Sequence, residues 1–200
     1  RGLDGDRVLI LTDGQRMGDL SSQSADHGVT VNPASASRIE IVRGPATLLY
    51  GANAIGGLVN VITDEIPTRP LRGTSGAFTV DGGSSAVEAG AAGGLSVGNG
   101  RLALHVGGSG RRASDYGTPQ GDVPNSFTRG GAVQVGLSAT GSRGYVGGSV
   151  AYDRTHYGVP LVEEGETNLT PGRHTVNVRA ERRELPGLLS GLRGSFGYRR

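Results

Sequence analysis

Residues 38–64 read RIEIVRGPATLLYGANAIGGLVNVITD. Two β-branched, apolar-rich runs, Ile39 to Val42 and Leu58 to Thr63, enclose a centre that holds Gly44, Pro45, Gly51, Gly56 and Gly57. That order predicts strand, tight turns, strand, with no room for a long helix. Glycines gathered at turns mark a backbone that takes positive φ or passes close against another surface.

On the N-terminal side, the apolar run Val8 to Leu11 predicts a short strand ended by the turn pair Asp13-Gly14. Residues 15–37 are polar and Ser-rich and hold Asp26-His27-Gly28, which predicts a long loop between two strands. On the C-terminal side, residues 64–72 read DEIPTRPLR. Two prolines and mixed charge there predict a linker, with a domain boundary near Pro70.

From Gly73 the pattern becomes strict alternation, the mark of strands with one apolar and one polar side. Phe78 and Val80 oppose Thr79 and Asp81; Leu95 and Val97 oppose Gly94 and Ser96; Leu102, Leu104 and Val106 oppose Arg101 and His105. The same holds around Val133 to Ser138, Val146 to Asp153, Val176 to Arg179 and Leu192 to Tyr198, giving seven candidate strands. Short turns are expected at 98–100, 140–143 and 185–187, and longer polar loops at 114–128 and 157–172. Short connections on one side and long ones on the other are what outer-membrane barrels show, whereas a Greek-key sandwich has no such need; the first outer connection, Gly82 to Ser85, is short and breaks the contrast. Tyr145, Tyr152, Tyr157 and Tyr198 are the candidates for an aromatic girdle.

Composition narrows the chemistry. Glycine supplies 37 of 200 residues without a collagen-like period, which fits a tightly turned β protein. There is no Cys, so a metal site would have to use His, carboxylate or water. The basic residues are all Arg, and a formal net charge of +2 gives no argument for nucleic acid. No apolar run reaches the ~18 residues of a spanning helix, so any membrane crossing must be made by strands. A chain without Lys cannot form a P-loop of the usual kind, and no Gly-x-Ser-x-Gly elbow supports a hydrolase, so no catalytic residues are assigned.

The stretch 38–64 resembles the end of the plug domain in TonB-dependent outer-membrane receptors, whose motif runs Ile-Glu-x-x-Arg-Gly-Pro, then Leu-Tyr-Gly, then Gly-Gly-x-x-Asn. The residues that carry it are Ile39, Glu40, Arg43, Gly44, Pro45, Leu49, Tyr50, Gly51, Gly56, Gly57 and Asn60. The resemblance implies an all-β membrane protein in which a mixed α+β plug fills an outer-membrane barrel of about 22 antiparallel strands. Residues 1–70 would be the C-terminal part of the plug and 71–200 the first seven or so barrel strands, so the chain is expected to be an internal piece of a longer receptor. It also implies energised uptake of a scarce nutrient, driven by the TonB-ExbB-ExbD complex. Arg1 and Arg43 would be the plug arginines that latch onto carboxylates of the barrel wall.

A narrower resemblance, to the zinc-uptake branch, rests on Gly18-Asp19 and Ser24-Ala25-Asp26-His27, with weaker support from residues 114–119 and 157–160. It implies that Asp26 and His27 are zinc ligands, zinc being cargo and not a catalytic cofactor. Carboxylate and imidazole both suit Zn²⁺, but two ligands do not complete a tetrahedral site. The chain departs from some members of that branch: in place of a His-rich loop after the fifth strand it offers His156, Glu163, Glu164, Glu166 and His174. A ferric siderophore, haem or cobalamin is the alternative cargo, and a structural or adhesive β protein is the alternative class.

Overall fold

A computed structural model of the chain describes residues 8–16, 36–44, 54, 56–160, 167–186 and 189–200. Every regular element among them is a strand. The chain divides into two compact units, Arg1–Asp64 and Glu65–Arg200.

The first unit holds β1 (Val8–Thr12), β2 (Gln15–Arg16), β3 (Arg38–Arg43) and β4 (Gly57–Ile62), in the sheet order β2-β1-β4-β3. β1 and β2 form a hairpin through Asp13 and Gly14, both at positive φ (54° and 80°), the geometry a two-residue turn needs to follow strand twist. β4 is the central strand, parallel to β1 and antiparallel to β3. A small apolar cluster of Leu9, Leu11, Ala54 and Leu58 forms the core of this sheet. Gly57 opens β4 at φ 138°, where a Cβ would run into the carbonyl oxygen of Val42 on the neighbouring strand. Gly57, the second of the paired glycines, is therefore needed for close strand approach at this point.

The second unit is a meander of long strands: β5 (Arg72–Gly83), β6 (Glu88–Asn99), β7 (Leu102–Ala113), β10 (Thr128–Gly141), β11 (Gly144–Val159), β13 (Gly172–Arg183) and β14 (Gly191–Arg199). Each pairs antiparallel with its sequence neighbour, and the short β12 (Thr167–Leu169) pairs with β11. The connection between β7 and β10 carries a small hairpin of its own, β8 (Gly117–Thr118) with β9 (Gly121–Asp122). All seven strands anticipated from alternation are present. β11 runs farther than the alternation indicated, through Val159, which shortens the following loop.

Register sorts the side chains onto two sides. Leu95, Val106, Val135, Val150, Val176 and Tyr198 form one continuous cross-strand row, with Val97, Leu104, Leu137, Val178 and Phe196 in the next. All of these are largely exposed, Phe78 on the same side most of all at 74%. The opposite side carries Ser96, His105, Ser138, Ser149 and Asn177, of which the last four are buried. Of the four girdle candidates, Tyr152 and Tyr198 stand on the apolar side. Tyr145 and Tyr157 do not: Tyr145 pairs with Thr140 and Tyr157 with Thr128, which places both on the polar side. The odd and even positions of β11 had to be separated by pairing partner, which alternation alone does not supply.

Candidate functional site: the plug motif and a linker clip

The motif residues far apart in sequence meet through strand register. Glu40 lies directly opposite Asn60 on the β3–β4 ladder. The Asn60 side-chain amide donates to Glu40 Oε2 at 3.1 Å, and Asn60 Oδ1 accepts from the Gly14 backbone N–H at 2.9 Å. Arg38 donates to the other Glu40 oxygen at 2.6 Å. On the same turn, Asp13 Oδ1 accepts from the Thr63 N–H at 3.0 Å and Oδ2 from the Thr63 hydroxyl at 2.6 Å. The effect is to tie the β1–β2 turn to the far strand pair through charged and amide side chains. Charge-assisted bonds of this kind are roughly twice as strong as neutral ones.

Arg43 ends β3 with its side chain exposed, and Gly44 follows at φ 88°. Among the described residues Arg43 forms no ion pair. The Gly44 N–H donates to the Gly56 carbonyl at 3.3 Å. Arg1, Asp26, His27, Pro45, Tyr50 and Gly51 lie outside the described residues, as do Glu163, Glu164 and Glu166. No cluster of three or more His, Asp or Glu side chains able to hold a metal occurs among the described residues.

Within the second unit, a feature that sequence reasoning missed involves the residues just after β4. Glu65 and Ile66 are 7% and 3% exposed. Glu65 Oε2 accepts from the Ser149 hydroxyl at 3.0 Å and from the Asn177 amide at 3.4 Å. The Glu65 backbone carbonyl sits where a Cβ on Gly136 would be, and the Ile66 side chain occupies the matching space at Gly147. Gly136, Ser149 and Asn177 are consecutive partners in one row across β10, β11 and β13. The segment anticipated as a linker is thus clipped at its start to the polar side of the strands. Glycines inside an alternating strand are a sequence signal for such close approach, and Gly136 and Gly147 carried it.

Other polar-side charges are also paired. Arg173 grips Asp153 with two nitrogens at 3.0 and 3.2 Å, Glu181 bridges Arg183 and Arg193, and Arg111 pairs with Glu88.

Comparison with known proteins adds sequence and fold relatives. Residues 1–58 match the family model of the TonB-dependent receptor plug domain. The ferric enterobactin receptor PirA of Pseudomonas aeruginosa is 38% identical over 88 residues, covering 40% of this chain and 12% of that receptor. The family these matches support is that of the TonB-dependent receptors. Among solved structures, the copper transporter OprC superposes with a TM-score of 0.78 at 17% identity, covering 98% of this chain and 30% of that one. The alcaligin outer-membrane receptor FauA from Bordetella pertussis gives a TM-score of 0.69 at 20% identity, with coverage of 96% and 30%. These likenesses show the fold: strands of a TonB-dependent receptor barrel together with its plug. The chain spans about 30% of the length of those structures and 12% of the curated relative.

Proposed function

We propose that the chain belongs to a receptor of the bacterial outer membrane that takes up a metal ion or metal chelate, with energy delivered to its plug by the TonB-ExbB-ExbD complex. The observation that carries the reading is the joining, in one chain, of a plug-family match at residues 1–58 to a wall of long antiparallel strands with one apolar side. The turn at Asp13 and Gly14, which precedes residues 17–35 in the sequence, is tied to Asn60 and Thr63. In the zinc reading Asp26 and His27 hold one half of a coordination sphere, and wall residues hold the other. Movement of the plug then separates the halves and frees the ion. Arg43, being exposed, is available to a carboxylate of the barrel wall, and Arg1 is proposed as its companion in the latch.

A ferric siderophore is the second reading, favoured by the name of the relative at 38% identity, a ferric enterobactin receptor. Binding of Zn²⁺ and of ferric enterobactin to the full-length receptor, with and without His27→Ala, separates the two. Zinc binding that falls at least tenfold in the variant supports the first reading; siderophore binding indifferent to His27 supports the second. A receptor that binds neither, and whose deletion leaves metal uptake unchanged, would end the uptake proposal.

A further inference from the structure

The apolar side of the second unit carries no carboxylate on any of its seven long strands, yet it carries five arginines: Arg72, Arg112, Arg129, Arg154 and Arg182. None of the five forms an ion pair among the described residues, whereas the polar side pairs Arg111, Arg173, Arg183 and Arg193 with acids. The five stand only at the two ends of the apolar band. Three of them gather at the end that bears the long connections. Arg112 and Arg129 are direct cross-strand partners, with His156 next in the row, and Arg154 lies one row nearer the band. Like charges placed opposite one another on a sheet are destabilising unless an anion comes between them. All three are exposed, and Arg129 also lies over the Phe127 ring at 5.8 Å.

Below Arg112 the ground is bare, Gly110 and Gly108 following on β7; below Arg129 come Gly131 and then Val133, and below Arg154 comes Tyr152. Gly110 and Gly131 are the row partners of Arg154, and in the next row down Gly93 and Gly108 lie side by side between Phe78 and the pair Val133 and Tyr152. That floor opens into an apolar groove walled by Phe78, Leu95 and Val106. The apolar run of β7 from Leu102 to Gly110 rises roughly 27 Å at about 3.4 Å per residue, of the order of the ~25 Å band by which outer-membrane strands meet lipid. A phosphate held by guanidinium forks above, with hydrocarbon laid along an apolar groove below, is the shape of a lipid.

We propose that Arg112, Arg129 and Arg154 form a binding site for the phosphorylated headgroup of a membrane lipid, whose acyl chain lies over Gly93 and Gly108 against Phe78. The site goes beyond the uptake reading. It rests only on the apolar side facing lipid, and its test has no step that depends on cargo.

The test uses the full-length receptor in detergent, with retention of a phosphomonoester-bearing lipid measured by native mass spectrometry against the same lipid dephosphorylated. The wild type is expected to retain the phosphorylated lipid at least tenfold better. The triple variant Arg112→Gln, Arg129→Gln, Arg154→Gln is expected to lose that preference, while the pair Arg72→Gln, Arg182→Gln at the other end stays within twofold of wild type. Heat-modifiable migration on gels reports folding. Should the triple variant fail to assemble, the single changes Arg129→Gln and Arg154→Gln carry the test, each with an expected loss of about threefold. Retention unchanged in the variants, equal loss at both ends, or equal retention of the dephosphorylated lipid would overturn the site. So would displacement by inorganic phosphate at the lipid's own concentration, since that would mark a free-anion site.

Discussion

Asn60 faces Glu40 across the β3–β4 ladder and joins it to the Gly14 backbone, giving its amide to the carboxylate at 3.1 Å and accepting the Gly14 N–H at 2.9 Å. One side chain therefore holds both the motif's acid and the turn at Asp13 and Gly14.

Replacing Asn60 by Ala should free the Gly14 amide and leave Glu40 with one fewer donor. Asn60 is only 9% exposed, and an unsatisfied buried group costs about 1–3 kcal/mol. Hydrogen exchange over residues 12–16 in the full-length receptor should accelerate at least about fivefold, the factor that about 1 kcal/mol corresponds to. Asn60→Asp should be destabilising for a different reason, because it sets two carboxylates opposite one another. Exchange that stays within twofold of wild type in both variants would show that the tie is not stabilising.

Two motif glycines should respond differently to alanine. Gly44 sits at φ 88° with open space around its Cβ position, so Gly44→Ala should cost only the left-handed backbone strain, roughly 1–2 kcal/mol. Gly57→Ala adds a collision with the Val42 carbonyl and should be clearly worse. Protease sensitivity of the plug in the assembled receptor ranks the two, and equal sensitivity would refute the steric account.

The wall was legible in the sequence because its two sides differ at every step, as at Val133, Gln134, Val135 and Gly136. The plug motif was legible as an ordered set of glycines and charges, but not the geometry that joins it. That Glu40 and Asn60 are partners depends on a register between strands 20 positions apart, which no local pattern fixes. Glu65 read as one acid among the charges of a linker. Its burial follows from three distant residues, Gly136, Ser149 and Asn177, that fall in one row only after the strands pair.

Neighbouring positions on β10 should differ sharply in their tolerance of charge. Val135 stands on the apolar side at 43% exposure, in the middle of the long cross-strand row. Val135→Arg should impair assembly into membranes, at a cost of about 2–4 kcal/mol near the bilayer midplane. Gln134→Arg turns the same charge to the polar side, near His105, and should assemble far better. Folded receptor recovered from liposomes measures this, and equal yields would contradict the assignment of sides.

The clip at Glu65 should open in proportion to what is removed. Glu65→Gln keeps an acceptor for the Ser149 hydroxyl and should be mild. Glu65→Ala leaves both Ser149 Oγ and the Asn177 amide without their acceptor in buried surroundings, for about 1–3 kcal/mol. Gly136→Val should act most strongly, since its added carbons claim the space of the Glu65 carbonyl and the segment must lift away. With Ile66→Cys as a reporter in an otherwise thiol-free full-length receptor, a buried thiol should label slowly, several-fold faster beside Glu65→Ala and at least tenfold faster beside Gly136→Val. Labelling that is equally fast in every background would mean that residues 65 and 66 do not rest on the wall. Slow labelling in all of them would mean that Ile66 is held by its own packing at Gly147, with the carboxylate contributing little.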